Sequence, residues 1–351
     1  MAPGTIQRTI TLFRKAFDGL GVKISLIRLE QLAIMVHEAM TVQARHFHTP
    51  AHIFDLTDGD DPIQALAALF HDVVYYEVDE GFIPQVEAAL APFIRATEDA
   101  LWLADEVETF KPGYYLLLDV FGFAPGQALA SAWGQNEFLS ALLMGIQLAD
   151  ILSRRWLVEI AACIEATIPF RGRNQRGETP AEVLERRLRT VDATYGLGID
   201  TQAIQSAVLR AVIFSNRDVE NFSERDTGRF LDNTWKLLPE SNPSLRHRGV
   251  YAISSYRRAL QSMETFLAEL DPDAIFNQYR DVPPLGVYEQ MRALAHRNVH
   301  TARQYLGLKL LAIGILEGLA AITGGDAPVS LFMGAIDQGG SARRLEDHLP
   351  D

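Results

Sequence analysis

The sequence predicts an all-α fold, on three observations. Apolar residues recur three and four apart over most of the 351 residues, the period of an amphipathic helix. Runs that alternate in the manner of a strand are few. Glycine, proline and short polar residues fall at the edges of the periodic runs, where helices start and stop. No repeat, heptad run or low-complexity segment interrupts this pattern. The expected architecture is a helical domain over residues 1–238, followed by a helical extension over 239–351 that packs on it or forms an interface.

Residues 5–19 and 25–44 carry helical spacing, the second through Ile27, Leu29, Leu32, Ile34, Met35, Val36 and Met40, with Gly19-Leu20-Gly21 as the stop between them. Pro50 suits the first turn of a new helix, which places His48 just before it. Asp58-Gly59-Asp60-Asp61-Pro62 reads as a turn, with Pro62 starting an apolar helix that carries His71 and Asp72. Residues 84–108 read as helical, whereas Lys111 to Gly126, rich in aromatics, glycine and proline, fits neither helix nor strand. Asn136 to Thr167 reads as one long helix, broken by Pro169, Gly172 and Gly177. Thr179-Pro180-x-Glu182 is a capping signature for a helix to about Tyr195, and Asp200 caps the next, Gln202 to Asn216, which delivers Arg217 and Asp218. The texture changes near Pro239-Glu-Ser-Asn-Pro243. Helices are expected at 244–270, 272–279 and 286–322, with Gly324-Gly325 ending the last and a polar tail after Gly339.

Composition narrows the function classes. The hydrophobic fraction of 48% and charged fraction of 22% are those of a globular protein. A net charge of −13 argues against a general nucleic-acid-binding surface, while leaving room for a local basic pocket. Cys163 lies in an apolar helical pattern and reads as a small buried hydrophobe rather than a nucleophile. No apolar signal core follows Arg8, Arg14 and Lys15. Leu139–Leu152 runs into Asp150, Arg154 and Arg155, and Tyr305–Ile322 holds Lys309 and Glu317, so both read as buried core helices rather than membrane spans. The expectation is a cytoplasmic protein with no membrane partner.

Residues 45–72 carry the chemistry. His48 and His52 are four apart, and the pair His71-Asp72 follows the apolar run Ala65 to Phe70. An imidazole and a carboxylate on a buried element are costly unless both find partners. A divalent ion satisfies both at once: zinc, iron, manganese, nickel or, with more oxygen ligands, magnesium.

These residues also carry a likeness. Arg45-His46-Phe47-His48-x-x-x-His52-Ile53, followed by Ala-Leu-Phe-His71-Asp72-Val-Val-Tyr75, resembles the HD superfamily of metal-dependent phosphohydrolases, in particular small HD proteins with an Arg-His-[Tyr/Phe]-His-x-x-x-His-Ile opening. His48-x-x-x-His52 is also similar to the signature of cyclic-nucleotide phosphodiesterases. Asn136-Glu137-x-x-Ser140-Ala141 is similar to a third short motif of the small HD proteins. The likeness covers roughly residues 45–220. It implies an HD-domain-like helical bundle in which 77–133 is an insertion, acting as a lid, a substrate wall or a packed ornament.

The resemblance implies a metal site of one or two divalent ions, with His52, His71 and Asp72 as ligands and a late carboxylate completing the set. Asp150 and Asp218 compete for that place. Asp150 lies 13 residues beyond Glu137 on what reads as one helix, about 20 Å by helical rise, so Asp218 is preferred. Asp72 could bridge a second ion about 3.5–4 Å from the first. His48 is implied as a proton donor to the leaving group or as a ligand to that ion. Glu137 is implied as a support or second-ion ligand, against the plain alternative of a helix-N-terminal glutamate. Arg45 could hold a substrate phosphate. Arg171, Arg173 and Arg176 read as a solvated loop more than a clamp, Arg217 stays ambiguous, and His296 and His300 read as structural or interface residues. The implied activity is hydrolysis of a small phosphomonoester or phosphodiester, with nucleotides among the candidates, by a metal-activated water. Two alternatives stand beside it: a di-iron oxygenase on the same ligands, and a non-catalytic helical binding or scaffold module with helix 286–322 as a homodimer interface.

Overall fold

The structure, a computed structural model, describes residues 4–57, 61–97, 100–246 and 252–323. The turn expected at Asp58-Gly59-Asp60, the Gly324-Gly325 stop and the polar tail lie outside them. Among the described residues the chain forms fourteen α-helices and one two-stranded sheet, so the fold is all-α.

The helices begin where short polar residues or prolines satisfy or remove the free amide groups of a first turn. After α1 (Thr5–Gly19), the Ser25 hydroxyl accepts from Arg28 N to open α2 (Leu26–Met40). Pro50 and Pro62 occupy the first positions of α3 (Pro50–Leu56) and α4 (Pro62–Phe70), and the Asp61 carboxylate caps α4 by accepting from Ile63 N and Gln64 N. α5 (Tyr76–Asp79) and α6 (Pro84–Leu90) are short.

The helix expected over 84–108 stops at Leu90. β1 (Ile94–Ala96) and β2 (Leu101–Leu103) follow as an antiparallel pair, with Ile94 opposite Leu103 and Ala96 opposite Leu101. Leu101 and Leu103 alternate with a more exposed Trp102, a period of two that overrides the weak helical periodicity around it. The ambiguous stretch from Lys111 is a helix, α7 (Lys111–Phe121), ended at Gly122 with a φ of 70°.

The single helix expected over 136–167 is two: α8 (Gln135–Leu148) and α9 (Arg154–Ala166). The break carries neither glycine nor proline. Ser153 instead caps α9, its hydroxyl accepting from Trp156 N, and Asp150 lies in the turn. α8 itself starts at Gly134, whose φ of 87° favours glycine and whose missing Cβ would stand 2.4 Å from Ile168 Cδ1. α10 (Pro180–Tyr195) opens on the expected capping box of Thr179 and Glu182, and α11 (Thr201–Asp218) on the Asp200 cap. α12 (Thr227–Ser241), α13 (Ile253–Glu269) and α14 (Leu285–Thr323) complete the chain. The helices expected at 244–270 and 272–279 are thus shorter. A 3-10 turn at Pro243–Leu245 precedes α13, and only a 3-10 turn at Pro272–Ala274 stands at the second site.

The chain divides into two compact units. One comprises the described residues of Met1–Val42, His48–Glu220 and Asp273–Arg292; the other those of Gln43–Phe47, Asn221–Pro272 and Ala293–Asp351. Neither is contiguous in sequence, so they do not follow a division at residue 238.

In the first unit α9 is the central helix, packed by α4, α7, α8 and α11. Ten of its residues are buried, among them Ile160, Ala161, Ala162, Cys163 and Ile164. Two glutamates are buried with them, and each is met by arginines. Glu165 accepts from Arg171 at 2.6 Å and Arg187 at 2.9 Å. Glu159 accepts from Arg155 and from Arg210 of α11. Arg210 also pairs with the capping Asp61 at 2.7 Å, and its carbonyl accepts from Gln64 Nε2. One guanidinium therefore ties the start of α4 to the middle of α11 and to α9. In the second unit the buried Asn298 side chain donates to the carbonyls of Phe222 and Glu224, and the buried Glu240 accepts from His46 N and Phe47 N.

Removing the Glu165 carboxylate takes away the carboxylate partner of Arg187 and leaves Arg171 only the carbonyls of residues 165 and 168. Glu165→Ala is expected to cost about 3–5 kcal/mol of folding free energy, the loss typical of a buried pair robbed of one partner. Urea denaturation checks this, and a loss below about 1 kcal/mol would show the cluster to be solvated.

Candidate metal centre

Four of the candidate side chains meet in the first unit. His52 stands in the first turn of α3. His71 is the residue that ends α4, and Asp72 follows it, so the pair sits just past a buried helix rather than within one. Asp218 is the last residue of α11. The Asp61–Arg210 tie fixes α4 and α11 side by side near their starts and middle, and both run on toward the cluster. Their C-terminal ends converge there, and each helix end carries partial negative charge that favours a cation.

The geometry is one that could hold a metal ion. One donor atom from each of His52, His71, Asp72 and Asp218 can be chosen so that all lie within 4.8 Å of one another. His52 Nε2 is 3.0 Å from Asp218 Oδ1 and 3.5 Å from Asp72 Oδ2. His71 Nε2 is 2.9 Å from Asp72 Oδ2, 3.5 Å from Asp218 Oδ1 and 3.4 Å from His52 Nε2. Bonds of about 2.0–2.1 Å to a central ion imply ligand–ligand edges of about 3.3 Å in a tetrahedron and about 2.9 Å in an octahedron. The observed edges, 2.9–3.5 Å, run from the octahedral value to slightly beyond the tetrahedral one. His71 Nδ1 lies 3.0 Å from the Ala68 carbonyl, which accepts its proton and turns the Nε2 lone pair into the cluster. Two imidazole nitrogens and two carboxylates suit a divalent transition metal.

Electrostatics point the same way. His71 is 1% exposed, and burial alone pulls an imidazolium pKa down. The Asp72 and Asp218 carboxylates outweigh that and hold it well above the usual value. Burial pushes Asp72 up, but His71, His48 and His52 bring it far below the usual carboxylate range. Asp218, against the same burial, is held at about 2 by its bonds to His52 and His71. In the metal-free chain a proton does the work of a cation between these groups, and a metal entering the site displaces it.

The other candidates fall outside this set. Asp150 has a side chain 71% exposed and lies 3.9 Å from Arg28, not at the cluster and not paired to Arg154 as a helical i, i+4 partner would be. Arg45 is buried but belongs to the second unit. Arg171 is spent on Glu165, Arg173 donates to the Gly177 carbonyl, and Arg217 donates to the Leu56 carbonyl, tying α11 to the end of α3. His296 and His300 are exposed on α14, and neither joins a metal-ligating group among the described residues.

His48 lies before α3, as Pro50 implies, with its ring 5.7 Å from His52 and 4.9 Å from Tyr75. Glu137 stands in the first turn of α8, its Oε2 buried with no hydrogen-bond partner. Burial raises its pKa to about 7, and the negative charges of Asp72 and Asp218 add to the rise.

The rest of the Asn136–Ala141 motif has a role the sequence did not reveal. The Ser140 hydroxyl accepts from Val74 N at 3.0 Å, and Asn136 Oδ1 accepts from Tyr76 N at 3.1 Å. These two bonds staple the backbone just after Asp72 to α8. Glu77, which accepts from Ser131 Oγ and from Gln135 Nε2 at 2.7 Å, extends the same staple. Only the spacing of polar residues on one face of α8 hinted at it.

No family model matches the chain, and no curated protein and no solved structure matches it.

Two predictions follow from this geometry. Asp218→Ala should lose the metal found by mass spectrometry in protein purified without chelator, while Asp150→Ala keeps it; the reverse pattern would move the fourth ligand. The second concerns Glu137 in chelator-treated protein. Its folded pKa of about 7 exceeds the ordinary 4.5, so the folded chain holds this proton more tightly, and stability falls as pH rises between those values. Glu137→Gln should therefore raise Tm by an amount that grows from about pH 4.5 to 7 and is constant above. A pH-independent difference would contradict the raised pKa.

Proposed function

We propose that the chain is a divalent-metal-dependent phosphohydrolase acting on a small phosphomonoester or phosphodiester, with HD-type chemistry. The observation that carries this reading is the convergence of His52, His71, Asp72 and Asp218 on one point, together with the resemblance of the surrounding motifs. A divalent ion held there supplies Lewis acidity toward a phosphoryl oxygen and a lowered pKa for a water at neutral pH. Manganese, magnesium, zinc, nickel and iron all remain compatible with the donor set.

The chain's own residues divide the remaining tasks. Asp72 and Asp218 bring two negative charges into the site, which would repel a phosphate dianion on their own, so anion binding depends on the cation they hold. With an ion bound, the His71–Ala68 bond would hold that imidazole as a neutral Nε2 donor. His48, outside the ligand set yet beside His52, would hand a proton to a leaving oxygen, a task that imidazole chemistry suits near neutrality. Glu137, whose pKa burial and the charges of Asp72 and Asp218 raise in the metal-free chain, would take up or release a proton at the edge of the same site.

The test is hydrolysis of p-nitrophenyl phosphate and bis(p-nitrophenyl) phosphate with each of the five metals in turn. Turnover with at least one metal is expected, and Asp72→Asn should abolish it along with metal binding. His48→Gln should slow substrates with poor leaving groups by about 10²–10⁴-fold and p-nitrophenyl esters much less, because a good leaving group needs no proton. Stoichiometric metal with no hydrolysis of any phosphate ester would overturn the enzyme reading in favour of a binding module; iron with oxygen uptake would turn it toward an oxygenase.

A further inference from the structure

The helix expected to be a buried core element, Tyr305–Ile322, is not one. α14 is long and apolar enough to cross a membrane by length and composition, with a mean hydropathy of 1.8 in its best window, yet only 17% of that window is buried. From Ala293 onward α14 belongs to the second unit, and within it one face is engaged. Val299, Ala302, Leu306, Ile313 and Ala320 are buried. The charged residues on and beside that face reach α12 and α13: Arg303 pairs with Glu264 at 3.1 Å, Glu317 with Arg257 at 2.6 Å, and the Lys309 ammonium lies 5.3 Å from the Trp235 ring. The opposite face carries Leu308, Leu311, Ile315, Leu319 and Ile322, exposed at 68, 64, 59, 50 and 83%.

We propose that this outer face is the contact surface for a second copy of the chain, with two α14 helices packed against each other about a two-fold axis. Area supports it. The five side chains expose on the order of 600 Å² per chain, the upper end for a monomer's largest patch, and a two-fold contact would cover roughly 1,200 Å², where stable specific interfaces begin. Pattern supports it as well. Residues 308, 311, 315 and 322 lie on one stripe of alternating three- and four-residue steps, with Gly318 in its remaining place. Gly307, Gly314 and Gly318 line one edge of the face, and nothing lies within 4 Å of where their Cβ atoms would stand, so a partner backbone can come close. A lipid surface fits less well as occupant, because a span through this helix would take Lys309 and Glu317 into hydrocarbon and away from their contacts on α12 and α13.

Sedimentation velocity on the full metal-loaded chain tests this across about 0.1–50 µM. The expected result is a dimer. Leu311→Glu combined with Ile315→Glu should give a monomer with unchanged helicity and metal content. Gly314→Leu, which meets open space within the monomer and favours helix, should weaken the dimer at least tenfold. A monomeric wild-type chain overturns the proposal and leaves the face open or covered by the chain's own residues 324–351. A dimer indifferent to these substitutions overturns it too. So does binding to phosphatidylcholine vesicles that the same substitutions abolish in a chain that does not dimerise.

Discussion

Two carboxylates and two imidazoles are held within a few ångströms in a largely buried place, where one proton, kept on His71 by Asp72 and Asp218, balances only part of the negative charge. With both histidines neutral, two negative charges face the negative ends of α4 and α11. With both protonated, two positive rings stand with Nε2 atoms 3.4 Å apart. A single divalent ion meets all four groups at once. Much of the polar structure of the first unit serves to keep those groups in place against that conflict.

The supports lie away from the cluster. Arg210 binds Asp61 and Glu159 and so joins α4, α9 and α11 at a level well before the ends of α4 and α11 converge. Arg217 fastens α11 to α3, which bears His52. Ser140 and Asn136 fasten the chain after Asp72 to α8. Each of the three chain segments that deliver a ligand is thus anchored by a polar bond outside the ligand set. This is what holds a binding geometry firm when the ligands themselves repel.

The resemblance implied His52, His71, Asp72 and a late carboxylate as a set, and local signals in the sequence place the segments that bring these four together. Pro50 dates the start of α3 and so places His52 in its first turn, Pro62 and an unbroken apolar run place His71, and the Asp200 cap counts out α11 to Asp218. Helix length favours Asp218 over Asp150 in the sequence; the structure puts Asp218 in the cluster and Asp150 in the turn before Ser153, not on one long helix. What escaped had weak local signals. The α8–α9 break uses a serine cap without glycine or proline. The β1–β2 pair is three residues a side, too short for alternation to show. The exposure of Leu308, Leu311 and Ile315 is invisible in composition, since an apolar helix face reads the same whether it meets a core, a lipid or another protein chain.

The two units interleave along the chain, which passes from one to the other five times, at Val42, Phe47, Glu220, Pro272 and Arg292. During synthesis all four ligands are therefore present once Asp218 has left the ribosome, while the second unit still lacks most of its residues. The first unit itself waits for Asp273–Arg292, whose Asn277 exchanges two hydrogen bonds with Asn216, two residues before the last ligand. A metal ion bound at the cluster during that interval would hold the ends of α4 and α11 together, a folding template in its own right.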